Sequence, residues 1–231
     1  MTYTPPIEEQ KFVLRHVAGI EALGGANAFA EASLDVVDAI VEGAGAFAAG
    51  EWGPLNRVGD TVGAKWSPEG VTLPAGFREA YRAYVEGGWG SLAGPVSHGG
   101  QGLPQTLATI VLENLGAANM AFSLCPMLSA GAVEALKHHG TPGQQDQWLP
   151  RLISGEWTGT MNLTEPQAGS DVGALKTRAE PAGEGVFRIK GQKISITFGE
   201  PLRPELPGAG SLPPLPKPLL PFLCFVGAGG Q

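Results

Sequence analysis

Apolar residues recur at three- and four-residue steps through the first two thirds of this 231-residue chain, the spacing that lines one face of a helix. Phe29, Val36, Val37, Ile40, Val41, Ala44 and Phe47 form one such stripe. Asn27 stands where a cap is needed, and Glu31 where a carboxylate meets the positive end of the helix dipole. Pro74 opens a second helix, with Phe77, Ala80, Tyr81, Tyr84 and Val85 inward and Gly87 at its end. A third follows Pro104 through Leu107, Ile110, Val111 and Leu115. A fourth carries Leu128, Ala132, Val133 and Leu136 and stops at Gly140. Thr141-Pro142-Gly143-Gln144 has capping-box spacing with proline at the first helical position. The fifth helix then carries Trp148, Leu149, Leu152 and Ile153 before Gly155, and Pro150 predicts a kink in it or an early end. Residues 7–155 thus read as helical.

The period changes at Glu156. Residues 157–163 suit a strand, and 186–190 alternate with a period of two. Gly191-Gln192 predicts a two-residue hairpin turn, with 193–198 returning antiparallel. Composition changes again at Pro201. Pro201, Pro204, Pro207, Pro213, Pro214, Pro216, Pro218 and Pro221 crowd the last 31 residues. That density excludes a helix or a central strand and predicts a disordered or extended tail. A proline-rich linker or partner ligand is a second reading of it. The predicted architecture is α+β: an all-helical domain over 1–155, the start of an antiparallel β-domain over 156–200, and a proline-rich tail over 201–231.

Bulk composition narrows the function classes. With 43% hydrophobic and 16% charged residues, the chain can bury a sizeable core. Its net charge of −7, without a basic run, argues against nucleic acid as a partner. Cys125 and Cys224 lie far apart and suggest neither a disulfide framework nor a metal cluster. No signal-peptide pattern opens the sequence, and no apolar stretch reaches the ~18 residues of a membrane span. A cytoplasmic protein is the expectation.

Candidate chemistry concentrates in Thr164-Glu165-Pro166-Gln167-Ala168-Gly169-Ser170-Asp171. Two hydroxyls and two carboxylates share a turn that proline stiffens and glycine opens to backbone approach. Such a turn can hold a polar ring edge and a phosphate. Glu165 and Asp171 invite an acid–base reading, but ordering of the turn is the simpler role for both. Ser170 has no base nearby in sequence to activate it. Gly43-Ala44-Gly45-Ala46-Phe47-Ala48 follows a helix rather than a strand, so it reads as helix packing and not as a dinucleotide fingerprint. His138 and His139 suit a helix end, and His98 reads as structural. No metal site and no catalytic residue are assigned.

The string from Met161 to Asp171 resembles the flavin-binding signature of the acyl-CoA dehydrogenase family. Gly88-Trp89-Gly90, Gly99-Gly100-Gln101-Gly102-Leu103-Pro104, His138-His139-Gly140-Thr141-Pro142-Gly143, Trp148-Leu149-Pro150 and Lys190-Gly191-Gln192-Lys193 resemble further family segments. The resemblance spans roughly residues 5–200. It implies FAD as cofactor, an acyl-CoA substrate, α,β-dehydrogenation to a 2,3-enoyl-CoA, and reoxidation by an electron-transferring flavoprotein. Intact family members imply a possible homo-oligomer. Carried over by position, Met161, Asn162, Leu163, Thr164, Ser170, Ser195, Ile196 and Thr197 contact the cofactor. Thr164 meets the pyrimidine edge, Thr197 approaches N5, and Ser170 also lies near the acyl-CoA. Backbone N–H groups of 162–164 would support the reduced ring. The family usually has an aromatic residue where Ser195 stands. Its catalytic glutamate and C-terminal helical bundle lie beyond position 200, and nothing in 201–231 resembles them. An incomplete chain with an aberrant tail is therefore expected; the alternative is a non-catalytic relative acting at most as a partner-binding fragment.

Overall fold

Helices α3 (Leu34–Phe47) and α5 (Phe77–Glu86) turn apolar faces inward, although Val36 of the predicted α3 stripe is exposed and Phe29 precedes the helix. Val37, Val41 and Ala44 on α3 are buried, as are Phe77, Ala80, Tyr81 and Tyr84 on α5. The computed structural model describes residues 2–25, 29–68, 70–183 and 187–198, together with the backbone of Leu223–Val226. By internal packing the chain divides into two compact units. One comprises Met1–Leu124 with Ile153–Gly155, the other Cys125–Leu152 with Glu156–Gln231.

In the first unit, α3 is capped by Ser33, whose Oγ accepts from Val36 N–H at 3.4 Å. Glu31 precedes the helix, and Asn27, expected as its cap, lies outside the described residues. α3 runs through a π-helical turn, Ala48–Trp52, into α4 (Gly53–Val62). The wide turn delivers Trp52 to the core, where it stacks on Phe122 with centroids 4.0 Å apart. Phe77 packs on Phe122 at 4.8 Å, and Tyr84 on Trp52 at 5.8 Å. This aromatic cluster buries the largest apolar side chains of the unit. The N-terminal segment, with α1 (Ile7–Phe12) and α2 (Ile20–Gly24), is pinned to it by polar ties. Tyr3 Oη donates to Asn114 Oδ1 at 2.8 Å, and Asn114 Nδ2 donates to Gln10 Oε1 at 3.1 Å. At Gly45 the segment comes so close that a Cβ would stand 2.6 Å from Ile7 Cδ1. A small hairpin, β1 (Lys65–Ser67) with β2 (Gly70–Thr72), pairs Trp66 with Val71. It interrupts the stretch read as wholly helical, because three-residue strands leave too short a pattern to detect.

The two helices expected on either side of residue 119 form one long element, α6 (Gln105–His139), broken by an extended Asn119 (φ −158°, ψ 87°). Asn119 Oδ1 accepts from Phe122 N–H at 3.2 Å, as an N-cap does for the helix that follows. Its Nδ2 donates to Trp52 O at 3.4 Å. By length and composition α6 also suits a membrane span, contrary to the sequence reading; half of its most apolar stretch is buried.

In the second unit, α7 (Pro142–Ile153) begins with the expected capping box: Thr141 N–H donates to Gln144 Oε1 at 2.8 Å. It continues past Pro150 rather than stopping there. Gln145 Nε2 donates to the carbonyls of Leu136, Lys137 and Gly140, closing the end of α6. Burial pushes the Cys125 thiol up to about 12, so it stays protonated and inert. β3 (Thr158–Met161) lies so close to α6 that a Cβ on Gly159 would stand 2.7 Å from Ala132 Cβ. Gly159 N–H donates to Ser129 Oγ at 3.0 Å. β3 pairs antiparallel with β6 (Leu223–Val226), and β4 (Arg178–Pro181) with β5 (Phe187–Lys190). β6 is an edge strand in the tail expected to be disordered or extended. It follows Pro221, the last proline of the chain, so its four residues keep every backbone donor. The rest of the tail lies outside the described residues.

Asn119 is the break between the two helical stretches of α6. Asn119→Ala is expected to cost about 1–2 kcal/mol, the scale of a lost N-cap with an unpaired buried group. Asn119→Ser, which keeps an acceptor for Phe122 N–H, should cost less. Denaturant unfolding checks both; equal stability of Asn119→Ala and wild type would count against the cap.

Candidate functional site

The site grows out of the end of β3. Thr158, Gly159 and Thr160 are buried and Met161 is exposed, so the chain surfaces where the motif begins. Asn162, Leu163 and Thr164 are half-buried. Asn162 Oδ1 is buried and has no hydrogen-bond partner among the described residues. Glu165-Pro166-Gln167-Ala168 then makes a tight turn in which Glu165 and Ala168 exchange N–H···O bonds, both 3.0 Å. Gly169 and Ser170 are exposed at its far side. Asp171 Oδ1 accepts from Gly173 N–H at 3.1 Å and caps a short 3₁₀ turn, Val172–Ala174.

That turn leads the chain back to Glu165, whose side chain is only 3% exposed. Four donors converge on its carboxylate. Gln167 Nε2 donates to Oε2 at 2.6 Å and Lys176 N–H to Oε2 at 2.8 Å. Thr177 N–H donates to Oε1 at 3.0 Å and Lys193 Nζ to Oε1 at 2.8 Å. The Lys193 ammonium first, then the donors of Thr177 and Lys176, hold the Glu165 carboxyl well below the usual carboxylate range.

The second motif lies alongside the first. After β5, Gly191 passes Thr177 so closely that a Cβ would stand 2.1 Å from Thr177 Oγ1. Lys193 Nζ also donates to Leu163 O at 3.0 Å, and Ile194 N–H to Thr164 O at 2.9 Å. Thr160 Oγ1 donates to Thr197 O. Thr164 is thereby bonded to the residue before Ser195, and Thr197 to the strand that leads into Met161. Ser195 and Ile196 are exposed and Thr197 is half-buried.

Two expectations about this segment fail. Gly191-Gln192 is not a hairpin turn, because β5 pairs back onto β4. Residues 193–198 are not a strand, since Ser195 (φ 56°) and Phe198 (φ 51°) adopt left-handed conformations that break a pleated run. Ile194 and Ile196 are both more than a third exposed. An aromatic residue at position 195 would consequently start from a turn, not from a flat strand.

The sequence reading assigned nothing to Lys193, Gln167 or the Lys176 and Thr177 amides, which organise the turn. The sequence signal for Lys193 is its place in Lys190-Gly191-Gln192-Lys193, one of the family-like segments. The other candidates resolve into structure. Gly43 packs against Trp89 and Gly45 against Pro5 and Ile7. His138 lies 3.2 Å from Glu134 on an exposed helix face. His98 Nδ1 lies 2.9 Å from Ser97 Oγ. Among the described residues, no group of three or more His, Cys, Asp or Glu could hold a metal ion.

Similarities to known proteins agree with the motifs. Residues 38–156 match the family model described as acyl-CoA dehydrogenase, N-terminal domain. The 3-methylmercaptopropionyl-CoA dehydrogenase of Ruegeria pomeroyi is 41% identical over 200 residues, which are 87% of this chain and 34% of that protein. The solved butyryl-CoA dehydrogenase of Megasphaera elsdenii shares the fold with a TM-score of 0.61 at 21% identity, over 71% of this chain and 41% of that one. An acyl-CoA dehydrogenase of Bacillus anthracis, solved in complex with FAD, does so with a TM-score of 0.58 at 22% identity, over 70% and 26%. The chain spans about a quarter to a third of the length of the curated relatives it matches. With half of its residues covered by the family's domain model, and with the motif of residues 161–171 set at the end of a strand, the chain belongs to the acyl-CoA dehydrogenase family.

Proposed function

We propose that residues 161–164 and 194–197 form one wall of an FAD site of the type that serves the α,β-dehydrogenation of acyl-CoA thioesters. The observation that carries this reading is the pairing of the two motifs through Ile194 N–H and Thr164 O at 2.9 Å. The groups present suit a flavin. Asn162 Oδ1 is buried and partnerless among the described residues, which a polar ring edge would remedy. Thr164 and Thr197 are half-buried neutral side chains, and Ser170 is an exposed hydroxyl on a glycine-containing turn. When bound, FAD supplies the two-electron acceptor for the reaction. The chain's own residues bind and orient: Thr164 meets the ring edge, Thr197 lies along the opposite segment, and Ser170 faces the phosphates and the acyl-CoA. Reoxidation by an electron-transferring flavoprotein belongs to the same proposal.

Proton abstraction is a separate matter. The α-proton of a thioester is weakly acidic and needs a placed base, an effect of about 10²–10⁴ in rate. Glu165 cannot serve, because a carboxylate held by four donors and kept far below its ordinary pKa has little tendency to take a proton. Asp171 is committed to capping its turn. The motif's two carboxylates therefore shape the site. This observation favours the second reading, a non-catalytic relative acting at most as a partner-binding fragment.

The purified 231-residue chain is expected to bind FAD, seen as a yellow protein and by flavin fluorescence titration. Thr164→Ala should weaken binding by about 1 kcal/mol, roughly fivefold, the scale of one hydrogen bond. Unchanged affinity in Thr164→Ala, Ser170→Ala, Thr197→Ala combined would remove the proposed wall. In a dye-coupled assay, saturated acyl-CoAs should not be oxidised by this chain.

A depressed carboxyl pKa stabilises the fold above the unfolded value and ceases to do so as pH falls through the folded one. Wild type should therefore exceed Glu165→Gln in stability at pH 7. The difference should shrink progressively below about pH 4, the ordinary glutamate range. Unfolding curves from pH 7 to pH 2 test this; a gap independent of pH would mean that Glu165 is not ionised in the fold.

A further inference from the structure

We propose that Lys193 is a positioning residue: its ammonium, bonded at once to Leu163 O and Glu165 Oε1, latches the segment 193–197 against 162–165 and so sets the separation of the two cofactor-facing segments. The inference rests on the FAD reading for its functional consequence, and on geometry alone for the latch itself.

The geometry is specific. The Lys193 side chain is 14% exposed and the Glu165 side chain 3%, so the pair is removed from most solvent screening. Lys193 Nζ lies 3.0 Å from Leu163 O and 2.8 Å from Glu165 Oε1. One residue further on, Ile194 N–H donates to Thr164 O. Three successive residues, Leu163, Thr164 and Glu165, are thus each tied to Lys193 or its neighbour. The segment's other described tie lies at its far end, where Thr160 Oγ1 donates to Thr197 O. The segment contains no strand, its residues 194–196 are exposed, and Ser195 and Phe198 are in left-handed conformations. Charge-assisted bonds are about twice as strong as neutral ones, so removing the cation should release this segment first.

The other donors to Glu165 give the test its contrast. Gln167 Nε2 and the Lys176 and Thr177 amides hold the carboxylate from residues 167–177, with no help from Lys193. Lys193→Met should therefore loosen 193–197 and leave 165–177 in place. Glu165→Gln should loosen both, since an amide cannot accept from every one of these donors. Lys193→Arg keeps the charge and a fork of donors and should retain the latch.

The experiment is amide hydrogen exchange on the full chain, together with FAD titration, for wild type and the three variants. Exchange at Ile194 is expected to rise about tenfold or more in Lys193→Met, the consequence of losing a charge-assisted bond, with Lys176 and Thr177 unchanged. Lys193→Arg should restore slow exchange at Ile194. FAD affinity should fall about tenfold in Lys193→Met and recover in Lys193→Arg, with bound-flavin visible circular dichroism altered only where Ile194 is released. Unchanged exchange at Ile194 in Lys193→Met overturns the latch. Raised exchange with undiminished FAD affinity overturns the positioning role. A wild-type chain that binds no FAD overturns the flavin reading instead, and the Ile194 exchange then decides the latch by itself.

Discussion

A buried carboxylate needs donors, and the way Glu165 finds them determines the shape of the site. Leaving a carboxylate in a dry environment unpaired costs so much that the group would take up a proton instead. Here the chain brings four donors to it from three places: Gln167 within the turn, Lys176 and Thr177 after the 3₁₀ segment, and Lys193 beyond the β4–β5 hairpin. Each donor requires the backbone between it and Glu165 to follow a particular path. The tight turn at Pro166-Gln167, the Asp171 cap and the close passage of Gly191 over Thr177 are the forms that path takes. The polar motif thus acts first as a folding instruction.

Helices were legible because burial on one face writes a long, repeated pattern. α5 matches its sequence reading from Phe77 to the Gly87 that ends it, although it opens at Phe77 and not at Pro74, and α7 shows its capping box through the Thr141–Gln144 bond. What escaped notice was shorter or depended on distant partners. The π turn that swings Trp52 inward leaves no mark in a 3.6-residue period. The break at Asn119 depends on an amide whose two ends bond to Phe122 and Trp52, and one of those partners is far away in sequence. At the site, the motif residues were readable as a string, whereas the conformation of 193–198 was not. Its alternation favoured a strand by propensity. The ties of Lys193 and Ile194 to the first motif, with left-handed turns at Ser195 and Phe198, outweighed that propensity.

The same saturation that makes Glu165 a good organiser makes it a poor acid or base. Catalytic carboxylates are tuned toward the working pH by burial or by like charges, and Glu165 is driven the other way. A strongly perturbed pKa in a functional motif would ordinarily nominate a catalytic group. The direction of the shift and the number of donors reverse that inference here. In the proposed site the contribution of Glu165 is spatial: its carboxylate holds the backbone from which Thr164, Ser170 and Thr197 would be presented.

A hydrophobic pair could fill the space of Glu165 and Lys193 at less desolvation cost, since buried ion pairs often contribute little net stability. The pair supplies something that apolar contact cannot, namely a single register. An apolar side chain at 193 would tolerate a shift of 193–197 by one residue along 162–165, because dispersion is non-directional. Such a shift would move Ser195 and Ile196 out of place against the first motif. Lys193 forbids it, because its ammonium must meet Leu163 O and Glu165 Oε1 together. Where a cofactor edge must be met by particular atoms of two loosely structured segments, fixing the register is worth the cost of burying a charge.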